Sequence, residues 1–274
     1  MYCFGIVDAS QSPEVLHAFG YTEGTALKGG NNVASLLVHG LKLLGWLIPG
    51  EPAQRLSIIM DNCAGQNKNK MVLRIALWLV EAGYFKTCEF IFFVRGHTKN
   101  ICDRMFNLLK QRYRKHQIFT MTELHTNLNL LPNVNFHCVS PDVFFDYDEF
   151  FDRFYKPFQP NTVKKNHIFL VQYPDVTTMH CKLYNNEDEM EHFNHRRTSS
   201  GHTRIQDMVD YQLKQLIPPG IKPIKQVELW KKWRKFVPRQ YWIDICPEPS
   251  DEVKAKVKAD FNNRRNRSNG TARG

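Results

Sequence analysis

Hydrophobic positions along this chain alternate in short runs at the start and then settle into helical spacing between unbroken apolar runs. "MYCFGIVDAS" and "VLHAFGYTEG" flank the turn-forming "QSPE", which predicts a β-hairpin. In "NNVASLLVHGLKLLGWL", Val33, Leu36, Leu37, Leu41 and Leu44 share one helical face. "RLSIIM" is a short continuous apolar run, which predicts a central strand buried on both faces. "NKMVLRIALWLVEAGYF" predicts a helix with Val72, Ile75, Ala76 and Leu79 inward. "CEFIFFVRG" is a second buried strand, and "KNICDRMFNLLKQRYRKH" a helix with Ile101, Met105, Leu108 and Leu109 as its apolar stripe. The first ~120 residues therefore run β-β-α-β-α-β-α, an order that predicts an α/β fold with a mostly parallel sheet and an antiparallel start.

The remainder is less regular. "FFDYDEFFDRFYKPF" predicts a short acidic-aromatic helix, and "NHIFLVQY" with "TTMHCKLY" a strand pair. "NNEDEMEHFNHRRTSSGHTRIQ" is polar and predicts an exposed loop. "PPGIKPIKQVELWKKWRKFVPRQYWIDICPEP" predicts a basic, Trp-rich helix between prolines, followed by a charged helix and a disordered basic tail. Three segments result: a core over 1–136, a smaller α+β extension packed on it over 137–250, and the helix and tail over 251–274.

Composition narrows the function classes. The apolar fraction of 42% fits a globular chain. A net charge of +10 favours a polyanionic partner, DNA first among them. Seven scattered cysteines, an odd number without a CxxC pair or a leader sequence, predict a nuclear or cytoplasmic protein that is not secreted. No run is long and apolar enough to predict a membrane partner. An oligomer is compatible with this composition.

Candidate chemistry gathers where strands end, as in open α/β sheets. Asp61 closes "RLSIIM" and runs into Asn62, Gln66 and Asn67. Asp103 opens a polar stripe with Asn107, Lys110 and Arg114. Two carboxylates from neighbouring elements can hold Mg²⁺ or Mn²⁺, which suits phosphodiester chemistry. The plainer readings are a helix N-cap for Asp61 and a solvated helix-terminal charge for Asp103. His97 orients a ligand or phosphate, or satisfies a cap. "KKWRKF" is either a nucleic-acid strip with stacking aromatics or an amphipathic helix burying Trp230 and Trp233. The histidines of "HFNHRRTSSGH" lack the paired spacing of a zinc site.

The blocks "MDNCAGQNKNK" and "FFVRGHTKNICDRMFNLLK" closely resemble a family known as domain of unknown function 7869, and "KGGNNVASLLVHGL" and the run from "PPGIKPIKQVELW" to "KFVPRQYWIDICPEP" match it too. The similarity spans roughly Phe4 to Pro249. Members of that family resemble transposon-derived DDE-type transposases and integrases of the ribonuclease H-like superfamily. The resemblance implies a ribonuclease H-like mixed sheet flanked by helices and Mg²⁺-dependent cleavage or strand transfer on DNA. Asp61 would be the second catalytic acid and Asp103 the third, both binding metal. Asn62, Gln66, Asn67 and His97 would orient them, and Lys68, Lys70, Lys99, Lys110 and Arg114 would touch phosphates. It also implies a further strand with the first aspartate ahead of Met1. Asp8 and Glu23 are the stand-ins within this chain. The alternative is a non-catalytic nucleic-acid or protein interaction module that retains the fold.

Overall fold

A computed structural model describes residues 1–48, 50–94, 100–184, 189–197 and 204–270, with side chains to residue 263. The opening hairpin forms as the alternation predicts. β1 (Tyr2–Asp8) and β2 (Val15–Tyr21) pair antiparallel, with Tyr2 opposite Tyr21 and Asp8 opposite Val15. α1 (Gly30–Leu43) follows, then β3 (Ala53–Met60), α2 (Lys70–Glu81), β4 (Phe85–Phe92) and α3 (Ile101–Arg114). The chain continues through α4 (Met121–Leu128), β5 (Val134–Cys138), α5 (Tyr147–Phe154) and α6 (Pro160–Lys165) to β6 (Ile168–Gln172), β7 (Asp175–Lys182) and β8 (Glu191–Asn194). It ends with α7 (Arg204–Asp210), α8 (Pro223–Glu228), α9 (Trp242–Ile245) and α10 (Asp251–Gly270).

The strands make two mixed sheets flanked by helices. One has the order β1-β2-β5, with β5 parallel to β2. The other has the order β3-β4-β6-β7-β8, in which only β3 and β4 are parallel. A single, mostly parallel sheet was the expectation from element order. Antiparallel returns after β4 replace it: β6 ("NHIFLVQY") pairs with β4, and β7 ("TTMHCKLY") pairs with β6.

α2 is the centre of the core. Val72, Ile75, Ala76 and Leu79 face inward with no exposed surface, as the spacing predicts, and Leu73 and Leu77 are equally buried. Neighbours therefore cover α2 on more than one side: β4, β6 and β7 pack on it, and so do α1 and α5. The aromatic face of α5 (Phe150, Phe151 and Phe154) completes that core. At the end of α2, Glu81 accepts the Tyr155 hydroxyl at 2.8 Å and pairs with the Arg204 guanidinium, which also donates to Phe154 O at 2.6 Å.

Three sequence expectations give way here. Among the described residues β3 is an edge strand, and it keeps one open face: Arg55, Ser57 and Ile59 (58%) are exposed while Leu56 is buried. In the polar stretch 185–206, Glu191–Asn194 forms β8 and His195 is buried against the Phe158 ring at 3.9 Å, while residues 185–188 and 198–203 lie outside the described residues. The Trp-rich helix breaks up: α8 widens into a π-helical turn at Leu229–Trp233, then tightens into 3₁₀ turns before α9.

Candidate functional site

β3 delivers Asp61 to a loop that folds back on itself. The carbonyl of Cys63 accepts the amides of Gln66 (3.1 Å), Asn67 (2.8 Å) and Lys68 (3.0 Å). That turn carries the chain to Asn69, whose side chain accepts from the amides of Met71 (3.0 Å) and Val72 (3.1 Å). Asn69 is thus the N-cap of α2. The capping role weighed for Asp61 is filled, and among the described residues Asp61 has no hydrogen-bond or ion-pair partner.

α3 presents the second acid. Asp103 sits in its first turn and accepts the Asn100 amide at 3.2 Å, while the Asn100 side chain accepts the Asp103 amide at 2.9 Å. This reciprocal cap is the structural duty foreseen for a helix-terminal acid. It leaves Asp103 exposed at the head of a stripe in which Asn107, Lys110 and Arg114 are also exposed. Leu108, assigned to the apolar stripe, is 42% exposed, so burial on α3 centres on Met105 and Leu109.

Asp61 and Asp103 line the same groove, together with Gln66, Asn67 and Asn100. The groove encloses about 1000 Å³ between β1 and β3. Its walls are α1 on one side and the start of α3 on the other. The absence of a side chain at Gly5 lets α3 close on β1: a Cβ there would stand 2.6 Å from the Phe106 ring. Burial and then the Asp103 charge push the Cys102 thiol beside the acids up to about 12, so it is held as a neutral thiol.

Of the other candidates, Asp8 also lines this groove, whereas Glu23, Lys68 and Lys70 do not. Asp8 is buried at the far end of β1, held by the Ser10 hydroxyl (2.6 Å), the Ser10 amide (3.0 Å) and Gln11 (2.7 Å). Burial alone would raise its pKa, but the Ser10 and Gln11 hydrogen bonds outweigh that and hold it below the ordinary value. Glu23 accepts the Tyr2 hydroxyl at 3.1 Å and faces Lys225 at 3.9 Å. Lys68 is buried and donates to Lys164 O at 3.3 Å. Lys70 pairs with Asp148 (2.9 Å) and Asp152 (3.8 Å). His97 and Lys99 lie outside the described residues. Among the described residues no group of three or more His, Cys, Asp or Glu side chains forms a metal-ligand set. Two carboxylates alone supply too few oxygen ligands for a two-metal centre.

A second surface was legible only as an open alternative. Residues 231–236 ("KKWRKF") are all exposed, with Trp233 at 54% and Phe236 at 65%. Arg234 stacks over the Trp230 ring at 4.5 Å and Lys235 over the Phe236 ring at 5.0 Å. The segment is fixed to α4 through Tyr241, whose hydroxyl donates to Glu123 at 2.6 Å and whose ring stacks on Phe119.

No described helix is long and apolar enough to cross a membrane. No curated protein and no solved structure matches the chain. A family model described as a domain of unknown function, DUF7869, matches residues 8–188, more than half of the sequence, and the chain belongs to that family.

Proposed function

We propose that the chain is a DDE-transposase-like protein of mobile-element origin, with a ribonuclease H-like core and Mg²⁺- or Mn²⁺-dependent phosphodiester cleavage or strand transfer as its ancestral chemistry. One observation carries this reading: Asp61 and Asp103, 42 residues apart and on different elements, line one groove beside the amides of Gln66 and Asn67. A bound Mg²⁺ would polarise a phosphate oxygen there and lower the pKa of bound water. The chain's own parts would orient the phosphate with Gln66 and Asn67 and draw DNA in with the cationic face of α3. The net charge of +10 supports salt-dependent DNA binding.

The second reading, a non-catalytic nucleic-acid or protein interaction module, is favoured because no three acids come together as a metal-ligand set among the described residues. The first reading expects DNA binding without cleavage by the chain as it stands; the module binds nucleic acid or a protein and cuts nothing. They separate in a plasmid-nicking assay with Mg²⁺ or Mn²⁺. The assay compares this chain, a version extended by a strand carrying an aspartate ahead of Met1, and the extended version with Asp61→Asn or Asp103→Asn. Nicking by the extended chain alone supports the enzyme. Its absence there supports the module, and equal nicking by the Asp61→Asn variant overturns the role of Asp61 altogether.

A further inference from the structure

Charge is spread unevenly along this chain. Residues 218–274 hold fourteen Lys and Arg against six Asp and Glu, a net +8 of the whole chain's +10. The same stretch takes little part in the core: between residues 218 and 263 only Cys246 and Pro249 are buried. A segment that buries so little apolar surface gains little from the interior, and its concentrated charge repels itself. A polyanion laid along it relieves the repulsion.

The stretch is nevertheless held in place. The Gly220 amide donates to Gly24 O at 3.2 Å, Lys225 pairs with Glu23, and Tyr241 is tied to Glu123. Trp230 and Trp242 meet edge to face at 5.4 Å, and the Trp242 indole donates to Val237 O at 2.8 Å. From this frame Trp233 and Phe236 project into solvent with their centroids 6.3 Å apart. Arg234 lies over Trp230, Lys235 over Phe236 and Arg239 over Trp242, so cations and rings alternate along the segment. Several acids of the stretch are paired within it: Glu228 with Lys232 at 3.1 Å, and Glu248 and Asp251 with Lys254 at 3.0 and 3.3 Å. Among the described residues Lys231, Arg234, Lys235 and Arg239 have no carboxylate partner.

The backbone says which polyanion fits. Duplex DNA keeps its base faces inside the stack and is read by a helix or a β-ribbon seated in the major groove. Here the chain breaks into π-helical and 3₁₀ turns, and α8 and α9 run only six and four residues. α10 is longer, but it opens on Asp251 and Glu252, whose charges repel phosphate. An unpaired strand offers phosphates to the cations and free base faces to the rings at once.

We propose that residues 222–242 form a docking surface for single-stranded nucleic acid, with Trp233 and Phe236 stacking on bases and Lys231, Arg234, Lys235 and Arg239 meeting the backbone. None of these residues lines the groove of Asp61 and Asp103. The surface shares with the proposed function only its nucleic-acid partner and stands whether or not the groove holds metal. Plasmid nicking reads the groove and strand binding reads this surface, so either can fail alone. The full chain is titrated at low salt with an oligothymidylate of about 20 nucleotides and with its duplex with oligodeoxyadenylate, while tryptophan emission is followed. The single strand should quench the emission and bind about tenfold or more tighter than the duplex. Trp233→Ala combined with Phe236→Ala should bring the two affinities within about twofold of each other. Should the unfolding midpoint of that variant fall, Trp233→Leu with Phe236→Leu keeps apolar bulk without a ring and carries the same expectation. Tyr173→Ala removes a ring 71% exposed between β6 and β7 and should keep the preference. Equal affinity of the parent for strand and duplex overturns the proposal, as does a preference that survives in the ring variants or is lost in Tyr173→Ala. So does quenching by phosphatidylserine vesicles without quenching by the strand, which assigns the surface to a membrane instead.

Discussion

Asp103 and Asn100 cap each other: each side chain accepts the other's backbone amide, at 3.2 and 2.9 Å. The carboxylate that faces the groove therefore also holds the start of α3, and any variant at this position mixes two effects. Asp103→Asn keeps an acceptor for the Asn100 amide and removes only the charge. Asp103→Ala removes both. We expect the alanine variant to lose about 1 kcal/mol of stability and the asparagine variant clearly less. Asp61→Asn, at a residue with no partner among the described residues, should leave stability unchanged. Urea midpoints check the stabilities. Mg²⁺ titration by calorimetry should show weak binding by the parent chain and none by either asparagine variant.

Helices and strands with a clear period were legible in the sequence because burial sets their pattern directly. α2 is the best case, with Val72, Ile75, Ala76 and Leu79 all fully buried. "RLSIIM" misled for a physical reason: a run apolar on both faces predicts burial on both, yet β3 leaves the face of Arg55, Ser57 and Ile59 exposed. Asp61 and Asp103 could be placed at strand and helix ends from spacing. Their meeting in one groove could not, because it depends on how α3 returns across β1, which Gly5 permits. The resemblance implies phosphate contacts for Lys68 and Lys70; in the fold Lys68 donates to Lys164 O and Lys70 pairs with Asp148 and Asp152, none of them near in sequence.

The Glu81–Arg204 pair is buried, and its partners Tyr155 and the Phe154 carbonyl are buried with it. Replacing one member leaves the other charge without compensation in the core. Arg204→Ala and Glu81→Ala should each cost about 3–5 kcal/mol. Removing both should cost less than the two losses added together. Thermal unfolding of the singles and the double variant measures this, and full additivity would show that the two side chains act independently.

His195 gives the fold an acid-sensitive point. Burial, and to a lesser degree the nearby Arg74 and Lys156 charges, hold its pKa down to about 4, against an upward pull from the Lys156 carbonyl. The ring is neutral in the fold at neutral pH, whereas in the unfolded chain it takes up a proton near pH 6.5. Stability should therefore be unaffected above that pH, fall as pH drops from about 6.5 to about 4, and level off below, a loss of about 3 kcal/mol from this group. Burial likewise lowers the stacked pair His17 and His137, which adds to the same slope. Urea midpoints across this range should show a shallower slope in His195→Phe than in the parent.

The exposed "KKWRKF" turn tests whether the C-terminal segment touches nucleic acid or only covers the core. A strip that covered the core would bury Trp233 and Phe236, but the π-helical turn at Leu229–Trp233 swings both into solvent. An exposed ring beside Arg234 and Lys235 offers a stacking face with cations at hand, the arrangement that holds single-stranded bases without reading sequence. Trp233→Ala and Phe236→Ala should leave the unfolding midpoint unchanged, since neither ring is buried, and each should weaken single-stranded DNA binding by about 1–3 kcal/mol. Lys231→Ala and Lys235→Ala should instead lower the slope of log affinity against log salt by about 0.7 for each phosphate that is no longer neutralised. Fluorescence anisotropy with a labelled oligonucleotide at several salt concentrations separates the two effects. Unchanged affinity in the ring variants, with the salt slope intact in the lysine variants, would place DNA elsewhere on the molecule and leave the α3 stripe of Lys110 and Arg114 as its docking face.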